Sequence, residues 1–511
     1  MSSQPPDGQG LADIGEAALE GPVSPDPASW ARRLTFRSGL LVFFRVVDIG
    51  VNAVTTVLVA RLLGPLEFGA LGFATAAAVL VYTLTDFGLT RAFVHQIASG
   101  DNVPSSLTTY FAVRIPLLIV SGLATLVLAT LAPAFLGLGT AGIDLLAIMF
   151  VVGSLRALAS FGQVTLEAQQ RVLASQTVVF AYSLSFALLV PAAAWRLPNA
   201  TSVALASLVP SVLGLAVALW HLQRIGFGRP QRALSRRYFG FALPLVGASV
   251  AGSIGEYIDK FLLQVSFGSL AMGYYTAAQR LVGPLAAPWG AVGNFLLASV
   301  VRGRRAGDPK DVVTSVRGVE KLASLLLAIL VAPLVVDSDG FVTLVFGEPY
   351  RPAALAVSLL SFRMWTDTTN LSGMALALGA GRARAYGNIS MAMSGLFVLL
   401  ALLIVPPPSF FFLSRGWGLD GAAACSAIVG LFALLTTEFL VTRTYQVAPR
   451  SWPFACLAVA IFGAFCARQW TGAAPDVLRI AIEVGVGCLL LGLLYVVTDH
   501  FKRRGPDGAS S

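Results

Sequence analysis

The sequence predicts an all-α polytopic membrane protein of about fourteen transmembrane helices. They form two six-helix halves related by a parallel repeat, with two further helices at the C-terminal end. Three observations lead there: an apolar composition, a series of apolar windows, and a one-sided distribution of basic residues. Of 511 residues, 56% are hydrophobic and 12% charged, with a mean hydropathy of +0.77. Soluble domains carry about 25% charged residues. A span takes roughly 20 apolar residues, so the apolar content suffices for about fourteen. A soluble enzyme with one anchor, a disordered protein and a disulfide scaffold are all excluded.

Residues 1–37 are rich in Gly, Pro, Ala and acidic residues and lack an apolar h-region, so they read as a disordered cytoplasmic tail and not as a signal peptide. Six apolar windows follow at about 38–60, 70–90, 107–132, 139–160, 173–195 and 200–223, and they make an N-lobe over 38–223. A basic inter-lobe loop occupies 224–237. Six more windows, at about 238–263, 271–300, 318–337, 353–379, 386–405 and 419–442, make a C-lobe over 238–442. The last two, at about 453–472 and 477–499, fall within 443–499 and precede a basic tail at 500–511.

The 35 basic residues test the count through the positive-inside rule. With fourteen spans, 23 of them fall on the side of the termini, in runs such as Arg32 to Arg37, Arg224 to Arg237, Arg302 to Lys321 and Lys502 to Arg504. Six fall on the other side: Arg61, Arg196, Arg351, Arg415, Arg468 and Arg479. One missed helix would scramble that alternation. Both termini are therefore expected in the cytoplasm. The net charge of +9 marks loops and forms no single patch, so nucleic acid is not an expected partner. Three His and four Cys provide no metal-ligand spacing and no catalytic geometry.

The halves repeat. Gly64-x-Leu66-x-x-Gly69 stands between windows 1 and 2, and Gly268-x-Leu270-x-x-Gly273 between windows 7 and 8. From Gly64 to Arg156 is 92 positions, and from Gly268 to Arg363 is 95. Both halves start on the same side, which makes the repeat parallel, with its axis along the membrane normal.

The remaining 6 basic residues lie inside the windows: Arg45, Arg114, Arg156, Lys260, Arg280 and Arg363. A charge at mid-bilayer costs about 2.5–3.5 kcal/mol on insertion scales, so each needs a partner or a water-filled cavity. Arg45/Asp48, Glu256/Lys260 and Arg363/Asp367 sit three or four residues apart and share helical faces that cannot point to lipid. Taken singly, each is as well explained by an intrahelical ion pair or a bundle cross-link. As a set they exceed what packing requires, and buried bases lining a cavity attract an anion, of which phosphate is the obvious one. Glu438 and Glu483 stand as isolated acids. Tyr257, Tyr274, Tyr275, Trp289 and Trp365 could stack on sugars, although packing or an interfacial belt is the default for such residues. Pro116, Pro191, Pro210, Pro244, Pro284 and Pro288 mark expected kinks.

The stretch Val59-Ala-Arg-Leu-Leu-Gly-Pro-Leu-Glu-Phe-Gly-Ala-Leu-Gly72 and then Thr85-Asp-Phe-Gly-Leu89 resemble the opening signature of Wzx-type polysaccharide flippases. These belong to the multidrug/oligosaccharidyl-lipid/polysaccharide (MOP) superfamily. Tyr257-Ile-Asp-Lys260 with Gly273-Tyr-Tyr-Thr-Ala-Ala278 looks like the second-half counterpart, and Phe346-Gly-Glu348 and Gly418-Leu-Asp-Gly-Ala-Ala423 are also similar. The resemblance covers about 35–445. It implies two six-helix lobes around a central cavity and a substrate on undecaprenyl pyrophosphate, moved across the bacterial cytoplasmic membrane for polysaccharide assembly. It also implies a non-enzymatic protein without a bound cofactor, working among membrane lipid and other polysaccharide-assembly proteins.

By the same resemblance, cavity cations hold the pyrophosphate. The candidates are Arg45, Arg114, Lys260, Arg280 and Arg363, with Lys260 the best matched to a motif. Relatives that couple transport to Na⁺ or H⁺ use membrane acids, and Asp48, Asp86, Asp259 and Asp367 are those available here. Other readings are a drug or metabolite antiporter or a peptidoglycan-precursor flippase of the same superfamily. A membrane-embedded polymerase or glycosyltransferase fits less well, because no window separation leaves room for a catalytic domain.

Overall fold

The computed structural model describes residues 27–86, 88–98, 102–131, 140–169, 171–306, 309–408, 414–471 and 476–503. Among these residues the chain forms α-helices and one 3-10 segment, with no strand. In chain order the helices are α1 (Pro27–Leu84), α2 (Leu89–Ala98), α3 (Val103–Leu131), α4 (Thr140–Ala168), α5 (Val172–Arg196), α6 (Ala200–Gln223) and α7 (Arg232–Ala306). There follow α8 (Pro309–Val336), α9 (Ser338–Phe346), the 3-10 segment Glu348–Ala353, α10 (Ala354–Gly379), α11 (Ala383–Ile404), α12 (Gly418–Tyr445), α13 (Trp452–Trp470) and α14 (Asp476–Arg503). Nine helical stretches among the described residues are long and apolar enough to cross a membrane. Large apolar side chains such as Leu489 and Phe462 stand more than half exposed, a surface suited to lipid rather than water.

Two helices each cover two windows because they bend at a glycine. α1 breaks at Gly64, with φ 73°, and α7 at Gly268, with φ 74°. Both values lie in the region an L side chain avoids, so the first glycine of each repeated motif has one physical role. The window prolines act differently: Pro116, Pro191 and Pro210 lie inside helices whose backbone stays helical throughout.

Contacts divide the chain into two units: residues 1–55 with 73–257, and residues 56–72 with 258–511. The core of the first is aromatic. Tyr110 and Phe161 stack at 3.6 Å and Phe93 meets Phe161 edge-on at 4.6 Å, a favoured geometry for paired rings. The buried Tyr238 hydroxyl donates to the Ser106 carbonyl at 3.0 Å.

In the second unit the segment 56–72 is anchored through its backbone. Arg61 donates to the carbonyls of Val345 (2.7 Å) and Leu344 at the end of α9, where helical carbonyls lack internal partners. Tyr350 donates to the Ala60 carbonyl at 2.8 Å, and its ring packs against Phe68, Tyr274 and Phe346. Burial, reinforced by Tyr274, raises the Tyr350 phenol above its ordinary range, which keeps it a donor.

α13 and α14, an appendix to the repeat in sequence, are bound into this unit by charge at both ends. At one end, Arg450 ahead of α13 pairs with Glu320 of α8 at 2.6 Å and with Glu438 of α12 at 2.6 Å. It also donates to the Thr369 carbonyl at 3.1 Å and to the Ser372 hydroxyl at 2.5 Å. At the other end, the fully buried Asp337 accepts two bonds from Arg479 of α14, at 2.6 and 3.1 Å. Arg468 of α13 lies 3.6 Å from the same carboxylate.

Candidate functional site

In the first unit Arg114 is 3% exposed. It donates to the Tyr82 carbonyl at 2.6 Å and to the Thr85 hydroxyl at 3.3 Å, and lies 3.9 Å from Asp86. A cation placed there satisfies the C-terminal carbonyls of α1 and complements its dipole. Asp86 in turn accepts from Thr90 at 2.7 Å and from Tyr110 at 3.4 Å. Asp48 accepts from Asn52 at 2.8 Å and from Ser183 of α5. The side chain of Arg45 lies outside the described residues. Arg156, on α4, is exposed and lies 4.3 Å over the ring of Tyr182.

In the second unit the charges gather around α12. Asp259, buried, accepts from the Tyr275 hydroxyl and lies 4.0 Å from the Lys260 amine. Tyr275 also shares a hydrogen bond with Ser426. Arg363 pairs with Asp367 at 2.7 Å and donates to the Ser426 carbonyl at 2.9 Å. Ser426 thus joins the Asp259 and Arg363 groups, a link that α7, α10 and α12 make and no spacing in the sequence announces. Gly430 makes the seat of Arg363: a Cβ there would meet the Arg363 Cδ at 2.6 Å. Arg280 is exposed and has polar interactions of its own.

Two expectations about side chains change. Glu438 is not isolated: it accepts from Arg450 and lies 3.4 Å from Arg317. Its partners arrive from other segments, which helical spacing does not register. Of the aromatic candidates, Tyr275 and Trp365 are fully buried and present no face to a ligand. Trp289 lines a small pocket together with Glu320, Thr368, Thr369 and Ser372. Both carboxylate oxygens of Glu483 are buried without a hydrogen-bond partner among the described residues. No group of acids, His and Cys able to hold a metal occurs among the described residues.

Long apolar helices, two of them broken at paired glycines, with charges held mid-span in each unit, are the architecture of a multi-pass membrane protein. The fold is similar to that of a solved transporter of the MOP superfamily. The family described as "Polysaccharide biosynthesis protein" matches residues 38–286. Among solved structures, the lipid II flippase MurJ in an inward closed conformation is similar at TM-score 0.74 and 12% identity, over 91% of this chain and 100% of that one. An inward-facing multidrug resistance MATE family transporter of the MOP superfamily is similar at TM-score 0.60 and 14% identity, over 78% and 96%. A mutant of the Vibrio cholerae MATE transporter VcmN follows at TM-score 0.52 and 14% identity, over 84% and 99%. No curated protein sequence matches the chain.

Proposed function

We propose that the chain flips a saccharide linked to undecaprenyl pyrophosphate across the bacterial cytoplasmic membrane, for polysaccharide assembly, by alternating access. The family match over 38–286 in a chain with basic side chains mid-span carries the reading. Arg45, Arg114, Lys260, Arg280 and Arg363 are the pyrophosphate candidates. For Arg114, that role requires it to release Tyr82 and Thr85. A charge-assisted contact with phosphate offsets the cost of drawing the head group from water. Coupling to Na⁺ or H⁺ would use Asp48, Asp86, Asp259 or Asp367. Both termini are assigned to the cytoplasm, and other polysaccharide-assembly proteins are the expected partners.

The test is reconstitution into vesicles with a labelled undecaprenyl-pyrophosphate saccharide, scored by accessibility to an external glycosidase. Protein-dependent exposure of the label is the expected result. Absence of exposure, with the protein inserted and folded, overturns the reading. The likeness to the lipid II flippase favours a second one, a peptidoglycan-precursor flippase, and lipid II in the same vesicles decides between them.

A further inference from the structure

The mid-span cations differ in what neutralises them. Arg114 has Asp86 at 3.9 Å, Lys260 has Asp259 at 4.0 Å, and Arg363 has Asp367 at 2.7 Å. Arg156 is the repeat counterpart of Arg363, yet four residues beyond it stands Ser160 where Arg363 has Asp367. It forms no ion pair among the described residues, and its side chain is exposed. Near the middle of α4, an exposed guanidinium cannot face lipid, where a charge costs about 2.5–3.5 kcal/mol on insertion scales; it faces water or a ligand.

Its seat is built. The guanidinium carbon lies 4.3 Å over the Tyr182 ring, which stacks on Phe186 at 5.5 Å and 20°. A guanidinium lying flat on a ring is attracted by the ring quadrupole and keeps its N–H edge for other acceptors. One turn back on α4, Tyr82 packs against Gly153, where a Cβ would meet the Tyr82 Cδ1 at 3.2 Å. Tyr82 lies within electrostatic range of Arg156, Tyr182, Arg114 and Glu256. Glu256, an acid of this group, has interactions of its own.

We propose that Arg156 binds an oxyanion of the transported molecule and that Tyr182 is the residue that positions it. The proposal rests on the reading of the chain as a flippase of a phosphate-bearing saccharide. Two sources share the chemistry, a phosphate of the pyrophosphate and a carboxylate of an acidic sugar, and both match the two-donor edge of a guanidinium.

The full chain in lipid nanodiscs is titrated calorimetrically with inorganic pyrophosphate and, separately, with glucuronate. Arg156→Gln is expected to weaken at least one of them tenfold or more. Loss toward pyrophosphate assigns the phosphate; loss toward glucuronate alone assigns the sugar acid. Tyr182→Phe, which keeps the ring face, should bind as wild type, whereas Tyr182→Leu should lose severalfold. A melting curve of Arg156→Gln matching wild type shows that folding is intact.

Arg156→Gln binding both probes like wild type overturns the site, as does a wild type that binds neither. Equal losses in the two Tyr182 variants overturn the positioning role. The vesicle assay separates the two readings. Unimpaired flipping by Arg156→Gln sinks this site and leaves the flippase. No flipping by wild type, with Arg156-dependent binding intact, sinks the flippase and leaves the site.

Discussion

Gly69 and Gly273 stand in reciprocal backbone contact: the Ser269 carbonyl occupies the place of a Cβ on Gly69, and the Pro65 carbonyl occupies that of a Cβ on Gly273. The two are the closing glycines of the repeated Gly-x-Leu-x-x-Gly motif, whose opening glycines make the bends of α1 and α7. The repeat therefore does more than record a symmetry. Each copy supplies the backbone that the other copy's missing side chain admits, and the segment 56–72 is held in the second unit by that exchange.

Gly69→Ala and Gly273→Ala should each destabilise the protein by about 2 kcal/mol or more, because a methyl has to displace backbone rather than a flexible side chain. Gly240→Ala is the control. No atom lies within 4 Å of a Cβ at Gly240, in α7, so it should gain the few tenths to 1 kcal/mol that alanine adds in a helix. Melting of the three purified variants in detergent checks the order. Gly69→Ala melting with Gly240→Ala would contradict the interlock.

Arg450→Met should cost about 3–5 kcal/mol, since it leaves Glu320 buried with its charge uncompensated and Glu438 with Arg317 alone, at 3.4 Å. The Arg450 side chain is 6% exposed, so water cannot substitute for it. Adding Glu320→Gln to Arg450→Met should recover part of the loss, giving a coupling energy well outside additivity. Denaturant or thermal unfolding of the four corners of that cycle measures it. Additive effects would mean that the 2.6 Å pair contributes nothing specific.

Asp337→Asn should loosen the far ends of α13 and α14 before the rest of the unit. It removes the charge that holds Arg479 by two bonds and Arg468 at 3.6 Å, while Arg479 keeps Asp476 at 2.7 Å. Hydrogen exchange read by mass spectrometry should rise in peptides covering α14 and stay at wild-type values in α4. A uniform rise across both would indicate a global loss and not a local release.

What was legible in the sequence is what repeats locally. Apolar windows and the one-sided basic residues announce long helices, and the two glycine motifs announce the bends, because each is a property of neighbouring residues. The partners of buried charges are not such properties. Arg114 meets the end of α1 across α2, and Glu438 finds Arg317 and Arg450 from two other segments. Helical spacing therefore registers Arg363 with Asp367 but leaves Glu438 seemingly alone. Arg156 could have been separated from its repeat mate by one comparison, Ser160 against Asp367. Which aromatic residues keep a face open was not readable, since Tyr275 and Trp365 owe their burial to packing by other helices.

Gly430→Ala should reduce transport while leaving the amount of inserted protein near wild type. A Cβ at Gly430 collides with the Thr366 hydroxyl and comes within 2.6 Å of the Arg363 Cδ, so the arginine side chain has to leave its bond to the Ser426 carbonyl. Asp367, half exposed, then loses the partner that compensates it within the span. If Arg363 serves only to cross-link α10 and α12, Gly430→Ala will melt earlier and flip substrate at an undiminished rate per folded molecule. If Arg363 meets the substrate, the rate per folded molecule will fall at least tenfold, and Arg363→Lys, which keeps charge but not the planar two-donor fork, will fall with it. Vesicle flipping normalised to folded protein distinguishes the two, and the second outcome is the one expected from a guanidinium 30% exposed beside a carboxylate 51% exposed.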